Sequence, residues 1–265
     1  MKTKSVKNTE VVEFSSMNEF YKYLCDTPFN DVFRWKKHSS VDGDEYFTGT
    51  KSFEEAVDLM KNGWKDMSQK LEKELKASSV TMEKVYKARN YKDVCGYQAI
   101  VPLYLQGIPN NMVNKKMVAV KQKVVTIDKS VDYSGSVNTQ KIIDESVKAL
   151  QIVKKIESQG VRCNLNIVIG SKEPDKNIFV KIRVKNASEK LNASKLAFPL
   201  VHPSMLRRLF FRFIEVHPTV TKSFVGGYGM PSVTNDLKEI FNDEYIIPAV
   251  FRKDISEVHS LDDLI

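Results

Sequence analysis

Cysteine is scarce in this chain: Cys25, Cys95 and Cys163 are far apart and odd in number. Such a set argues against a disulfide framework or a cysteine-based zinc site and fits a reducing compartment. No window approaches ~18 uninterrupted apolar residues, so no membrane-spanning helix is expected. The opening MKTKSVKNTEVVEF has basic residues but no apolar stretch, and does not read as a secretory leader. Internal repeats, low-complexity tracts and obvious linkers are missing too. What is present is an ordinary globular composition, 42% hydrophobic and 28% charged over 265 residues, enough for one large domain or two small ones.

Charge is plentiful and uneven, with a formal net charge of +8. Lys61 to Lys92 holds nine basic residues against four acids, and Lys195 to Arg212 holds four against none. Asn235 to Ile265 reverses the sign, with eight acids against three bases. A basic body can track phosphates, and it can equally be a solvated lysine-rich surface.

Local signals divide the chain. Residues 1–15 read as a polar lead-in. Ser16-Met-Asn-Glu19 has capping-box form and opens a helix through Leu24, while Ser52 caps a helix with Phe53, Val57 and Met60 on its apolar face. Gly63 ends that helix before Trp64, and Lys65 to Lys76 forms the next, with Met67 and Leu71 on one side. Tyr97 to Val113, interrupted by Pro102 and Pro109, reads as a packed extended segment or loop. One strand is expected over Met117 to Ile127, a helix from an Asn138 cap to Gly160, and strands at Arg162–Ile169 and Asn177–Val184. The strand–helix–strand order predicts a parallel pair with a right-handed crossover. Helices are expected at Ser188–Leu196, Pro203–Glu215 and Asp236–Phe241, a last strand at Tyr245–Phe251, and an acidic tail beyond.

The loop Asp132-Tyr-Ser134-Gly-Ser136 is the chief chemical candidate. A carboxylate and two hydroxyls at i, i+2 and i+4 can converge as hard oxygen ligands for Mg²⁺ or Ca²⁺, at the strand end where open α/β sheets bind ligands. The alternative set starts at Asp128, with Ser130 and Asp132. The same residues also make a generic turn. Arg207, Arg208 and Arg212, interleaved with Phe210, Phe211 and Phe213, could grip phosphate and stack bases, although the phenylalanines also suit an inward helix face. His202 and His217 bracket that helix and read as turn histidines. Gly226-Gly-Tyr-Gly229 lacks the lysine of a phosphate loop and reads as a turn. Asp42, Asp44 and Glu45 lack the strand lysine that a nuclease centre would add. The cysteines read as small core residues.

A strand, Asp-x-Ser-Gly-Ser, a helix and then the Arg162 strand resembles the first half of a von Willebrand factor A domain. In that family the loop opens a metal-dependent adhesion site that holds an acidic partner. Here the acid lies four residues beyond the apparent strand end, and the later Thr and Asp ligands have no clear counterparts. A second set of motifs comprises Phe47-Thr-Gly-Thr-Lys-Ser-Phe-Glu-Glu-Ala56, Asn62-Gly-Trp64, Cys95-Gly96 and Val101-Pro-Leu-Tyr-Leu-Gln-Gly-Ile-Pro109 with Met112. This set is similar to a family of uncharacterised bacteriophage proteins. That resemblance implies phage origin and the host cytoplasm, and brings no catalytic residue.

The expected fold is therefore α/β: a mixed, partly parallel, Rossmann-like sheet of von Willebrand A-like form, with helices on both faces. An N-terminal mixed helical region would cover 1–114 and the α/β region 115–265. The resemblances imply a non-enzymatic, phage-encoded binding or adaptor protein that engages a host or phage protein, with no membrane contact. A nucleic-acid-binding protein in phage genome expression or counter-defence is the rival, and a metal-dependent hydrolase is third. No cofactor is expected unless the loop takes Mg²⁺ or Ca²⁺.

Overall fold

The computed structural model describes residues 1–33, 37–43, 45–77, 86–119, 123–133, 135, 137, 139–172, 177–220, 240–241 and 245–249. Gly226–Gly229, the acidic tail from position 250, Asp44 and Asn138 lie outside them, as does most of the expected 236–241 helix.

The N-terminus corrects the sequence reading. In place of a polar lead-in, β1 (Lys2–Val6) and β2 (Thr9–Phe14) form an antiparallel hairpin, turned at Lys7 with φ +52°. Val11, Val12 and Phe14 are buried, so β2 is an inner strand even though Thr9 and Glu10 are polar. α1 (Met17–Asp26) starts where Ser16 Oγ accepts the Glu19 N–H at 3.2 Å. It buries Phe20 and Leu24, each worth about 2 kcal/mol of transfer free energy.

After the short α2 (Glu45–Thr48), α3 (Phe53–Asn62) is capped by Ser52 and stopped by Gly63 at φ +83°, a left-handed position that favours glycine. α4 (Lys65–Ala77) turns Met67, Leu71 and Leu75 inward.

The segment expected as packed extended chain or loop is extended only at its ends, holds a short helix, and is not packed into a core. β3 (Tyr86–Asp93), β4 (Gln98–Ala99), the one-turn helix α5 (Val101–Leu105) and β5 (Met112–Ala119) build a separate three-stranded sheet in the order β3-β5-β4. Pro102 sits in the first turn of α5, where its missing N–H costs nothing. The single strand expected over Met117–Ile127 is split between β5 and the next strand, and its two parts belong to different sheets.

The main sheet holds β6 (Val124–Ser130), β7 (Arg162–Lys172), β8 (Asn177–Lys185) and β9 (Tyr245–Ile247), with the N-terminal hairpin on its edge, in the order β1-β2-β8-β7-β6-β9. β6 pairs parallel with β7, as the crossover predicts, through α6 (Thr139–Ser158). β7 and β8 are antiparallel, and β2–β8 and β6–β9 are parallel, so the sheet is mixed. It draws strands from both sides of Lys115.

α7 (Ala193–Val201) begins later than expected because Asn192 caps it, accepting the Ser194 and Lys195 N–H groups at 2.9 and 3.3 Å. The expected 203–215 helix is present but widens to a π-helix over Met205–Phe210 before α8 (Phe211–Val216). A π segment of this kind re-aims side chains, and here it carries Arg207 and Arg208.

Strand alternation separates two layers. Val12, Ile127, Leu165, Ile167 and Val180 face a large core shared with α1, α3, α4, α6, α7 and α8. Val11, Val168, Phe179 and Ile246 face the other way, into a small cluster closed by Phe241. Among the described residues the helices thus pack on one face of the sheet, not on both.

Candidate functional site

Asp132 sits just beyond the carboxyl end of β6 and is buried. Both of its carboxylate oxygens accept the Gly170 N–H, at 3.0 and 2.9 Å, which ties the loop to β7. Gly170 has to be glycine: a Cβ there would stand 2.4 Å from the Phe179 ring. Asp128 is occupied as well, on the far face of the sheet, where it accepts Asn166 Nδ2 at 2.6 Å and Lys181 Nζ at 2.9 Å. Ser130 Oγ accepts the Asp132 N–H at 3.4 Å. Ser134 and Ser136 lie outside the described residues. Among the described residues no group of three or more His, Cys, Asp or Glu is placed to hold a metal ion.

Between these acids, Lys129 is fully buried and donates to the Pro248 carbonyl at 2.7 Å. Burial lowers its pKa to about 8. Its ammonium stands 5.7 Å from the Tyr133 ring. Nothing in the sequence distinguishes this lysine from the other basic residues.

The three arginines expected to meet nucleic acid are turned into the protein instead. Arg208 is 0% exposed and donates to the carbonyls of Ser39, Val41 and Thr50 at 3.1, 2.6 and 2.9 Å, and to Thr48 Oγ1 at 3.2 Å. Arg207 donates to the Phe47 carbonyl and lies 4.2 Å from that ring. Arg212 bonds Ser39 Oγ and Ser40 Oγ and stacks 4.0 Å over Phe53. Their work is to organise residues 38–43 and 45–50, whose Ser39, Val41, Phe47 and Thr50 carbonyls accept from them. Glu215, also buried, joins them by accepting the Ser39 N–H at 2.9 Å.

The histidines prove interior rather than merely turn-forming. His202 stacks on Phe198 at 5.2 Å and accepts the Ser204 N–H at 3.1 Å, and burial lowers its pKa to about 4. His217 lies between Tyr23 Oη, 2.8 Å from Nδ1, and Glu10 Oε1, 3.5 Å from Nε2. This Glu10–His217–Tyr23 line joins β2, α1 and the end of α8, and burial, then the Glu10 charge, raise the Tyr23 pKa to about 12.

A cleft of about 980 Å³ opens between α4, α6 and the approach to α7. Its charges pair with one another: Lys185 and Arg162 reach Glu157 at 2.6 and 3.9 Å, and Lys195 reaches Glu189 at 3.9 Å.

The small sheet exposes apolar side chains to solvent. Among residues 88–117 none is buried, and Val94, Tyr97, Val101, Tyr104 and Leu105 are exposed, Tyr104 at 66% and Leu105 at 78%. Three antiparallel strands ordinarily need a covered apolar face to persist, and this sheet covers none of its own. Gly96 lets the β3–β4 turn close against β5, since a Cβ would meet the Val113 carbonyl at 2.1 Å.

Fold and surface together define an α/β protein on a mixed six-stranded sheet, with a separate three-stranded sheet that forms an arm of its own. The chain belongs to the DUF7192 family, a domain of unknown function, whose match spans residues 2–261. No curated protein and no solved structure matches it. No helix among the described residues is long and apolar enough to cross a membrane.

Proposed function

We propose that the protein is a non-enzymatic binding or adaptor protein whose main sheet is a platform and whose arm makes the contact. The observation that carries this reading is the exposed Tyr104–Leu105 tip on a segment with no core. Apolar side chains left in water by a well-formed turn gain about 1.5–3 kcal/mol each when a partner covers them. The partner is a protein with an apolar pocket, which the tip enters as an aromatic and aliphatic anchor.

The parallel β6–α6–β7 unit, with its acid-bearing loop, supports a von Willebrand A-like platform. In this reading the loop is retained for fixing β6 to β7 rather than for holding an ion. The motifs between Tyr46 and Ser136 support a phage-encoded protein that acts in the host cytoplasm on a host or phage protein.

The test is affinity capture from nuclease-treated host lysate by the full chain and by Leu105→Asp. Discrete species retained by the wild type and lost with Leu105→Asp support the reading. Identical retention by both, or none by the wild type, contradicts it.

A further inference from the structure

The arm also carries charge that its apolar tip does not explain. Lys87 to Lys116 contains five basic residues and one acid. That acid, Asp93, lies on the same face as Tyr91 and is occupied by the Tyr91 hydroxyl, by the Val94 N–H at 2.8 Å and by Asn114 Nδ2 at 3.4 Å. In the β3–β5 register Arg89 stands directly opposite Lys116, and Tyr91, two residues on, shares their face. Like charges in this position destabilise a sheet. Among the described residues neither cation has a carboxylate partner; Lys116 instead lies 5.3 Å over the Tyr91 ring, and Lys115 lies 4.5 Å over Tyr97.

Cations on edge strands often serve to block strand addition, and Arg89 and Lys92 on β3 could be explained that way. β4 pairs with β5 only at Met112 and Val113, so Lys115 and Lys116 flank an open edge too, but protecting an edge does not require two cations to face each other as Arg89 and Lys116 do. Repulsion retained on a sheet with no buried residue from 88 to 117 is relieved by a polyanion.

We propose that this face of the arm binds single-stranded nucleic acid, with Arg89 and Lys116 on phosphates and Tyr91 stacking on a base. Two adjacent cations beside a half-buried ring provide the electrostatic and stacking parts of single-strand binding, without base-edge readout. An acidic protein surface would satisfy the cations but leave the ring without a stacking partner. This inference is separate from the tip contact, so the two can fail independently. If both hold, the arm joins a protein to a nucleic acid.

The experiment is fluorescence anisotropy of a labelled oligothymidine, and of a duplex of equal length, titrated with the full chain across a salt series. Expected is single-strand binding that weakens with salt and exceeds duplex binding. Arg89→Gln with Lys116→Gln should weaken it about tenfold and reduce the log–log salt slope by about 1.4. Tyr91→Ala should weaken it at least about fivefold at every salt concentration. Leu105→Asp should leave it unchanged. These are surface changes. Lys92→Gln with Lys115→Gln removes the same charge from the opposite face of the arm and should weaken binding less. Tyr91→Ala tests the binding face without a charge change should the first pair melt early. No binding by the wild type, full binding by Arg89→Gln with Lys116→Gln, an equal loss from Lys92→Gln with Lys115→Gln, or equal duplex affinity unaffected by Tyr91→Ala would overturn the proposal.

Discussion

Asp132 and Gly170 are joined by a single N–H shared between two carboxylate oxygens, at 3.0 and 2.9 Å, across the β6–β7 boundary. The residue that most suggested a metal ligand thus has a structural occupation. A charge-assisted bond to a buried backbone amide contributes about 2 kcal/mol, and its loss leaves that amide without an acceptor. Asp132→Ala should therefore lower the melting temperature by about 4–8 °C. Millimolar Mg²⁺ or Ca²⁺ should leave the wild-type melting temperature where it is in EDTA. An ion-dependent rise that Asp132→Ala abolishes would restore the loop as a metal site.

Arg208 makes the most consequential side-chain contacts of the interior. Four donations to segment 38–50 disappear together in Arg208→Ala, and three carbonyls are left buried. The expected cost is about 3–5 kcal/mol, seen in chemical denaturation as a lower midpoint. Arg208→Lys should recover little, because an ammonium cannot span carbonyls arranged for a planar fork.

His202 sets a pH dependence whose sign follows from its environment. Its folded pKa is about 4 against an unfolded value of 6.5, because burial disfavours the charged ring. Between these values the unfolded chain binds the extra proton, so stability is full above pH 6.5 and falls as pH drops toward 4. The loss attributable to this group is about 2–3 kcal/mol. Urea unfolding at about pH 7 and about pH 4.5 brackets that window and measures the loss. His202→Gln, though less stable at neutral pH, should show a shallower decline.

Much of the fold was legible because its signals are local. Ser16, Ser52 and Gly63 announce helix ends through bonds made within four residues, and α6 announces itself by period. What the sequence hid depends on distant partners. β2 looks polar because Glu10 is buried against His217, far along the chain, and nothing nearby signals that pairing. The arm looked like packed chain because an apolar run reads the same whether it faces a core or water. Arg207, Arg208 and Arg212 looked like a phosphate grip because a basic and aromatic helix has that composition on either side of a surface. Only the position of the Ser39–Thr50 carbonyls decides which it is. β5 ends at Ala119 and β6 begins at Val124, and the sequence between them carries no proline or glycine to signal two strands.

If the arm binds while the β6 loop only supports the fold, one paired measurement separates those roles. Melting and partner capture are compared for Asp132→Ala and Leu105→Asp, with capture performed well below both melting points. Asp132→Ala is expected to melt early yet still capture, and Leu105→Asp to melt with the wild type yet capture nothing. Capture lost with Asp132→Ala and kept with Leu105→Asp would contradict this division of roles.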